Sequence, residues 1–200
     1  LTAQNAKADA INRRELDRLP GAGRIYQAAI TGAFQPQLFP TDPALRLKEN
    51  AQVMFIKNDP ERQFVNGTIG TVADLQDGRV SVTVDTPEGN RRQVEVRPVD
   101  WEILRYVPGR EAPDKIDTEI IGTFRQLPLR LAWAVTIHKA QGKTFDRVII
   151  DLGRGAFEHG QTYVALSRCR TLEGIVLRQP LRPQDIRTDE RVVDFYEQHF

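Results

Sequence analysis

Hydrophobic and polar residues follow three successive patterns along the chain, and the first covers residues 1–46. Apolar residues recur at close to helical spacing between residues 6 and 19, which predicts an amphipathic helix there. The helix is expected to end at Pro20 and Gly21, because proline lacks the amide hydrogen that a helix interior requires. Three further prolines before residue 46 favour an irregular connection to the next zone.

The second zone, residues 47–119, contains short stretches that are rich in β-branched residues and are separated by turn-forming residues. Val80, Val82 and Val84 alternate with polar residues, which is the period of a half-buried strand. Strands are predicted at residues 51–56, 67–75, 79–85, 91–99 and 101–107. Several short strands in so short a segment favour a small β-barrel, and residues 108–117 are expected to form the linker that leaves it.

From residue 120 the pattern changes again, to apolar runs that alternate with helical segments. The runs cover residues 129–137, 147–152 and 174–180, and helices are predicted at residues 160–170 and 191–200. A continuous apolar run suits a strand that is buried on both faces, and parallel strands of this kind are joined by helices. We therefore predict βαβ units around a parallel sheet.

The composition excludes several classes of protein. With 200 residues, 40% of them hydrophobic, and a formal net charge of +1, the chain can bury the core of one domain or two small ones and is not disordered. Cys169 is the single cysteine, so a disulfide scaffold is excluded and a reduced, cytoplasmic protein is expected. The apolar runs fall short of the roughly 18 residues that span a membrane, so no membrane partner is expected. Because the chain opens with Leu1 and its one methionine is Met54, we expect a fragment of a longer protein.

Positive charge is distributed unevenly along the chain. Residues 120–182 hold ten Lys and Arg residues against four Asp and Glu, a local balance of +6, whereas the rest of the chain holds 18 against 23. Such segregation is what a phosphate-binding face requires, and a solvated basic surface gives the same count. The charge pattern therefore permits a nucleic-acid partner without requiring one.

The tripeptide Gly142-Lys143-Thr144 matches the end of a phosphate-binding P-loop, GxxxxGK[ST]. The first glycine of that motif would have to stand at position 137, which is Ile137. Without that glycine the segment does not form the nest of backbone amides that holds phosphates. We therefore predict no P-loop at this position.

Two longer stretches carry a more specific pattern. Residues 127–153 contain the core A-x-T-I-H-K-x-Q-G, and residues 160–177 contain the core V-A-L-S-R. Together they closely resemble motifs V and VI of superfamily-one helicases, in the RecD-like and Pif-type branch that moves 5′ to 3′ on single-stranded DNA. Thr2, Asn5 and Asn12 form the pattern T-x-x-N-x-x-x-x-x-x-N, which resembles the start of the second motor domain in that branch.

The resemblance implies a fold and a domain organisation. Residues 1–46 and 120–200 are expected to form the two halves of a RecA-like α/β domain with a parallel sheet, of the P-loop NTPase type but without its own P-loop. Residues 53–59 and 65–72 resemble the start of the SH3-like β-barrel that the family inserts into this domain, so the barrel is expected over residues 47–119. An upstream RecA-like domain of the same protein would complete the motor, because the chain has neither a P-loop nor a Walker B acidic strand.

By the same resemblance, Arg168 is the motif VI arginine that reaches across a cleft to the γ-phosphate of ATP. Arginine suits this role because its planar fork pairs with two phosphate oxygens and offsets charge in the transition state. The resemblance also implies that Gln141 and Gly142 turn the chain toward the nucleotide. ATP is thus the expected cofactor, with Mg²⁺ held mostly by the upstream domain.

Thr136, His138 and Lys139 occupy the positions at which motif V of the family contacts the DNA backbone, and Asn5 is a further expected nucleic-acid contact. A hydroxyl, an imidazole and an ammonium group on one short segment can donate to successive phosphates. The three histidines of the chain are too scattered for a zinc site, so no metal site is expected in this chain.

We therefore expect the C-terminal motor portion of an ATP-dependent 5′-to-3′ DNA helicase, inactive as an isolated fragment, with single-stranded DNA as its partner. The helicase portion of a conjugative relaxase is an open alternative, because it shares the motif V pattern and would differ by an upstream metal-binding nuclease domain. A non-catalytic nucleic-acid-binding module, in which the barrel binds, is a second alternative. A purely structural remnant is a third.

Overall fold

The structure is a computed structural model that describes residues 1–86, 89–108 and 116–199. The α-helices are α1 (Asn5–Arg18), α2 (Gln161–Leu166) and α3 (Glu190–His199). The strands are β1 (Arg24–Gln27), β2 (Ala29–Gly32), β3 (Ala44–Leu47), β4 (Gln52–Phe55), β5 (Ile69–Gln76), β6 (Arg79–Asp85), β7 (Arg91–Val96), β8 (Val99–Pro108), β9 (Ile116–Gln126), β10 (Leu129–Leu131), β11 (Val148–Ile150) and β12 (Ile175–Leu177). Short 3-10 helices lie at Pro36–Leu38, His138–Ala140, Leu172–Gly174 and Pro183–Asp185. Within the described ranges, no helix combines the length and the apolar character needed to cross a membrane.

The chain divides into two compact units. The first unit contains residues 1–15 and 133–200, and the second contains residues 16–132. These limits differ from the domain limits expected at residues 46 and 120, because β1, β2, β3 and β9 pair among themselves and with β8 inside the second unit. The identity of the two units as motor domain and inserted barrel stays a prediction.

The second unit is built from antiparallel sheets. One sheet has the strand order β10-β4-β5-β6-β7, another has the order β2-β9-β8, and β1 pairs with β3. The strands predicted in this zone are confirmed as β4 to β8, and Val80, Val82 and Val84 are buried as their alternation predicts. The strand pairings of the described residues form open sheets, so the SH3-like barrel stays a prediction.

One sequence prediction in this unit is wrong, and another falls largely outside the described residues. Residues 20–46, expected to be irregular, contain β1, β2 and β3, whose four residues each are too few to show a period. The expected linker at residues 108–117 overlaps the ends of β8 and β9, and its residues 109–115 lie outside the described ranges. The pattern missed β9 because this strand is specified by its pairing with β8, in which Phe124 faces Trp101.

The first unit combines helices with parallel segments, which confirms the predicted α/β class. The predicted helices at both ends of the chain are confirmed as α1 and α3, and Phe200 lies outside the described residues. β11 and β12 pair in parallel, as predicted. A core of four buried residues joins these segments to α2, and it consists of Ala3, Ile137, Ile150 and Ala165.

The apolar run at residues 129–137 does not form one strand. Its first part is β10, which pairs antiparallel with β4 in the second unit. Its last part belongs to the first unit, where the Ile137 N–H donates to the carbonyl of Thr2 at 2.9 Å. Hydrophobicity predicts that such a run is buried, but it does not indicate which core receives each residue.

Candidate nucleic-acid and nucleotide interface

Parallel backbone segments of the first unit end at a common edge. Thr2 bridges Thr136 on one side and Asp151 on the other, both in parallel, and β11 pairs in parallel with β12. The Thr2 N–H donates to the carbonyl of Val135 at 3.0 Å, and the Asp151 N–H donates to that of Leu1 at 2.9 Å. Ligands of open α/β sheets bind beyond the carboxyl ends of the strands. The residues that follow each segment are therefore candidates for a site.

This edge brings together several of the predicted DNA contacts. His138 and Lys139 follow the segment of Thr136, and Asn5 begins α1 just beyond the segment of Thr2. Asn5, His138 and Lys139 are exposed, whereas Thr136 is only 4% exposed because it lies within the sheet. The structure thus presents three of the four side chains to solvent, and the role of all four in binding DNA stays a prediction.

The imidazole of His138 has a carboxylate partner on the loop before α2. Its Nε2 lies 2.5 Å from Oε2 of Glu158, and the two side chains are 55% and 49% exposed. Even a charged pair this exposed contributes only about 0–1 kcal/mol to stability. The contact therefore matters more for the orientation of the imidazole ring than for the fold.

Gln141 and Gly142 lie in a turn that follows the 3-10 helix at His138–Ala140. The Lys143 N–H donates to the carbonyl of Ala140 at 3.0 Å, which closes the turn. Gly142 has a φ of +77°, a conformation that glycine adopts more readily than other residues. Among the described residues other than Gly142 and its two chain neighbours, no atom lies within 4 Å of the point where a Cβ would stand. Gln141 and Gly142 are both exposed, so the turn offers an open backbone to a phosphate-bearing ligand.

Arg168 follows α2, and neighbouring oxygens hold its guanidinium group. Nε donates to the carbonyl of Val164 at 3.1 Å, and Nη2 donates to Oγ of Ser167 at 2.9 Å. The first bond satisfies a carbonyl at the end of α2, where helical partners run out. Nη1 donates to the carbonyl of Lys143 at 3.3 Å. Arg168 of motif VI therefore contacts the turn of motif V that contains Gly142.

Main-chain hydrogen bonds hold motifs V and VI together. The Phe145 N–H donates to the carbonyl of Arg168 at 2.8 Å, and the Arg170 N–H donates to the carbonyl of Phe145 at 3.0 Å. A Cβ on Gly174 would lie 2.2 Å from the carbonyl oxygen of Asp146, so the close approach of the chain at this point requires glycine. Backbone contacts therefore determine where Arg168 lies relative to motif V.

Asn12, on α1, fixes the backbone just before Thr136. Its Nδ2 donates to the carbonyl of Ala134 at 2.8 Å, and its Oδ1 accepts from the Ala134 N–H at 2.9 Å. Asn12 is 7% exposed, and a buried amide group needs such partners. The sequence identified Asn12 as part of the pattern that begins at Thr2. The structure shows that its side chain binds the backbone of Ala134.

A charged cluster that the sequence pattern did not predict lies at the same edge. Nζ of Lys7 lies 2.7 Å from Oδ1 of Asp151, and Nη1 of Arg178 lies 3.4 Å from Oδ2. Lys7 is on α1, whereas Asp151 and Arg178 come directly after β11 and β12. No motif or period marks these residues as a cluster, because they lie far apart in the sequence and meet only when the strands pair.

The carboxyl group of Asp151 is buried beside two cationic side chains. Burial alone raises the pKa of Asp151, but hydrogen bonds from Lys7 and Gly153, with the charges of Lys7 and Arg178, outweigh it and hold the pKa below its usual value. The Gly153 N–H donates to Oδ1 at 2.9 Å. Within the described part of the chain, Oδ2 has no hydrogen-bond partner, so Arg178 faces it as an ion pair.

Comparison with known proteins places this geometry in a family. No family model matches the chain. In sequence, the chain is 34% identical to the ATP-dependent DNA helicase Pif1 of Bdellovibrio bacteriovorus over 203 residues, covering 99% of this chain and 43% of that protein. In structure, it is similar to unliganded Pif1 from Bacteroides sp, with a TM-score of 0.84, 36% identity, and coverage of 99% of this chain and 44% of that one. It is also similar to Pif1 helicase from Bacteroides in complex with ADP-AlF3 and single-stranded DNA, with a TM-score of 0.77, 35% identity, and coverage of 100% of this chain and 44% of that one.

Both kinds of match extend over nearly the whole chain. The homologues of this chain are therefore Pif1-type superfamily-one DNA helicases, which confirms the resemblance carried by motifs V and VI. It spans less than half the length of these relatives.

Proposed function

We propose that the chain is the C-terminal motor portion of an ATP-dependent DNA helicase that moves 5′ to 3′ on single-stranded DNA. Its relatives are named ATP-dependent DNA helicases, and one was solved with ADP-AlF3 and single-stranded DNA. The observation that carries the proposal is the hydrogen bond from Arg168 to the carbonyl of Lys143. It supports the proposal because it joins a residue predicted to bind nucleotide to the segment that carries the predicted DNA contacts.

Arg168 is proposed to act on the γ-phosphate of ATP held by an upstream RecA-like domain. Its guanidinium group donates to neutral carbonyl and hydroxyl oxygens. A phosphate is charged and accepts two parallel bonds from arginine, so it is a stronger partner than these oxygens. When Arg168 turns toward the phosphate, it releases the carbonyl of Lys143. Nucleotide binding would thereby remove a hydrogen bond that restrains the backbone of motif V.

Asn5, Thr136, His138 and Lys139 are proposed to contact the DNA backbone. The ammonium group of Lys139 and the imidazole of His138 lie on consecutive residues at the exposed edge of the sheet. Contacts to phosphates position a strand without reading its bases, which suits a protein that moves along DNA of any sequence. The polarity of movement is carried over from the family.

Gln141 and Gly142 are proposed to face the nucleotide. Among the described residues, no group of three or more His, Cys, Asp or Glu side chains is placed to hold a metal ion. By the family resemblance, Mg²⁺ is proposed to be held mostly by the upstream domain, which would also supply the P-loop. It follows that the isolated chain neither hydrolyses ATP nor unwinds duplex DNA. The complete protein is proposed to act in the cytoplasm.

The substitution Arg168→Ala in the full-length protein tests the proposal. Loss of an arginine that stabilises phosphoryl transfer lowers turnover by about 10³-fold or more. Binding of single-stranded DNA, measured by fluorescence anisotropy, should change by no more than about twofold, because the phosphate contacts remain. Arg170→Ala is the matched control, since Arg170 is 69% exposed and pairs with the exposed Asp146.

The control should keep full ATPase activity. Unchanged ATPase activity in Arg168→Ala would favour the non-catalytic nucleic-acid-binding module. The melting temperature of each variant is measured in parallel, because Arg168 also bonds to the end of α2.

A further inference from the structure

We infer that Lys7 and Arg178 form a phosphate-binding subsite that continues the DNA surface of His138 along the carboxyl edge of the parallel sheet. Its ligand is a backbone phosphate of single-stranded DNA. The inference rests on the proposed function, because it extends the same DNA-binding surface. Lys7 and Arg178 are not among the DNA contacts that motifs V and VI predict.

The order of the parallel segments places this subsite in line with the predicted DNA contacts. The segment of Thr136 is followed by that of Thr2, then by β11 and β12. Neighbouring strands lie about 4.8 Å apart, so Arg178 lies roughly 14 Å along the edge from the position of His138. This distance exceeds the spacing of successive phosphates in a nucleic-acid strand. The two ends of the edge would therefore be contacted by different phosphates of one DNA strand.

The charges of the cluster leave an excess of positive charge at the surface. Lys7 and Arg178 share one carboxylate, that of Asp151, which is 4% exposed. The side chains of Lys7 and Arg178 are themselves 35% and 61% exposed. An ammonium group has three N–H donors and a guanidinium group has five. The single carboxylate of Asp151 cannot accept from all of these donors. The buried carboxylate therefore holds two cationic groups in place with donors left for a phosphate.

The competing explanation is an ion-pair network that only ties α1 to β11 and β12. Such a network contributes to the free energy of unfolding, and it makes no contact with DNA. The two explanations differ in what Arg178 does to DNA binding and to its dependence on salt. The ion pair between Arg178 and Asp151 is 3.4 Å long and lacks a hydrogen bond, so loss of Arg178 should leave the fold intact.

The experiment is a salt titration of oligothymidylate binding to the full-length protein, by fluorescence anisotropy, with the variant Arg178→Gln. On a single strand, each phosphate contact contributes about 0.7 to the slope of log K against log salt concentration. We expect Arg178→Gln to lose about 0.7 of this slope and to bind about fivefold more weakly at about 0.1 M salt. Arg178→Lys keeps the charge and should restore most of the slope. Lys7→Gln is a second variant with the same expected loss, and it replaces Arg178→Gln if that variant does not fold.

Arg191→Gln is the matched control, because it removes the same charge from α3, where Arg191 is 88% exposed and pairs with Asp189. Equal slopes for Arg178→Gln, Arg191→Gln and the unmodified protein would overturn the subsite. The double variant His138→Ala with Lys139→Ala separates this inference from the proposed function. If the double variant loses DNA binding and Arg178→Gln does not, the subsite is wrong and the proposed function stands. If none of the variants loses binding, the proposed DNA surface is itself wrong.

Discussion

The guanidinium group of Arg168 and the main-chain oxygen of Lys143 lie 3.3 Å apart, as donor and acceptor. The bond joins the end of α2 to the turn that follows the 3-10 helix at His138–Ala140. Because Lys143 takes part through its carbonyl, the link depends on the path of the backbone and not on the lysine side chain. In the proposed mechanism, a turn of Arg168 toward a phosphate would break this bond, which would couple the position of one side chain to the backbone of motif V.

Arg168→Lys is expected to lower the ATPase activity of the full-length protein by about 10²-fold or more, although it preserves the charge. An ammonium group acts as a point charge and does not form the two parallel bonds of a guanidinium group. Steady-state ATP hydrolysis with saturating single-stranded DNA measures the effect. Activity within about tenfold of the unmodified protein would contradict a bidentate role for Arg168.

Asn12→Ala is expected to destabilise the first unit by about 2 kcal/mol, because it leaves the N–H and carbonyl of Ala134 buried without their partners. Urea unfolding of the chain, followed by circular dichroism, measures the change. Arg13→Ala is the control on the same helix, since Arg13 is exposed, and it should alter stability by less than about 0.5 kcal/mol. Equal effects of the two substitutions would show that the contact of Asn12 with Ala134 contributes nothing.

The pH dependence of stability should change in Asp151→Asn. In the folded state, burial acts to raise the pKa of Asp151, but Lys7, Gly153 and Arg178 outweigh it and lower the pKa, whereas the unfolded chain has its ordinary value of about 3.9. The stabilising contribution of Asp151 is therefore complete above about pH 4 and is lost as the pH falls through the folded-state pKa. Urea midpoints measured from about pH 2 to about pH 7 should rise less with pH in the variant than in the unmodified chain. If the urea midpoints of Asp151→Asn and of the unmodified chain changed equally with pH, the lowered pKa of Asp151 would be contradicted.

Gly174→Ala is expected to destabilise the chain by about 2 kcal/mol or more, because overpacking forces the neighbouring backbone to shift. The added Cβ would lie 2.2 Å from the carbonyl oxygen of Asp146 and 2.7 Å from Sγ of Cys169. Gly142→Ala is the comparison, since its Cβ would meet no atom within 4 Å from the described residues beyond its chain neighbours. Only its positive φ costs energy, about 1–2 kcal/mol. Urea unfolding gives both values. A Gly174→Ala variant as stable as the unmodified chain would contradict the close approach.

Local patterns accounted for much of the architecture. The helical spacing before Pro20 predicted α1, and the alternation around Val82 predicted β6, because both periods arise from neighbours in the sequence that face the same side of one element. Motifs V and VI indicated the family for a related reason, since their residues lie in two continuous stretches. Gln141, Gly142 and Arg168 belong to these stretches, so the sequence was enough to identify them as candidates.

What the sequence determined by itself is thus the family that the chain resembles and the elements whose residues form a period or a motif within one segment. The tertiary structure alone decided the pairings between segments: the division of residues 129–137 between two units, the addition of β9 beside β8, and the meeting of Lys7, Asp151 and Arg178 at one edge. The physical reason is that strand pairing and burial depend on groups that are distant in the sequence. Hydrophobicity along one segment indicates that a residue is buried, and the partner segments determine where.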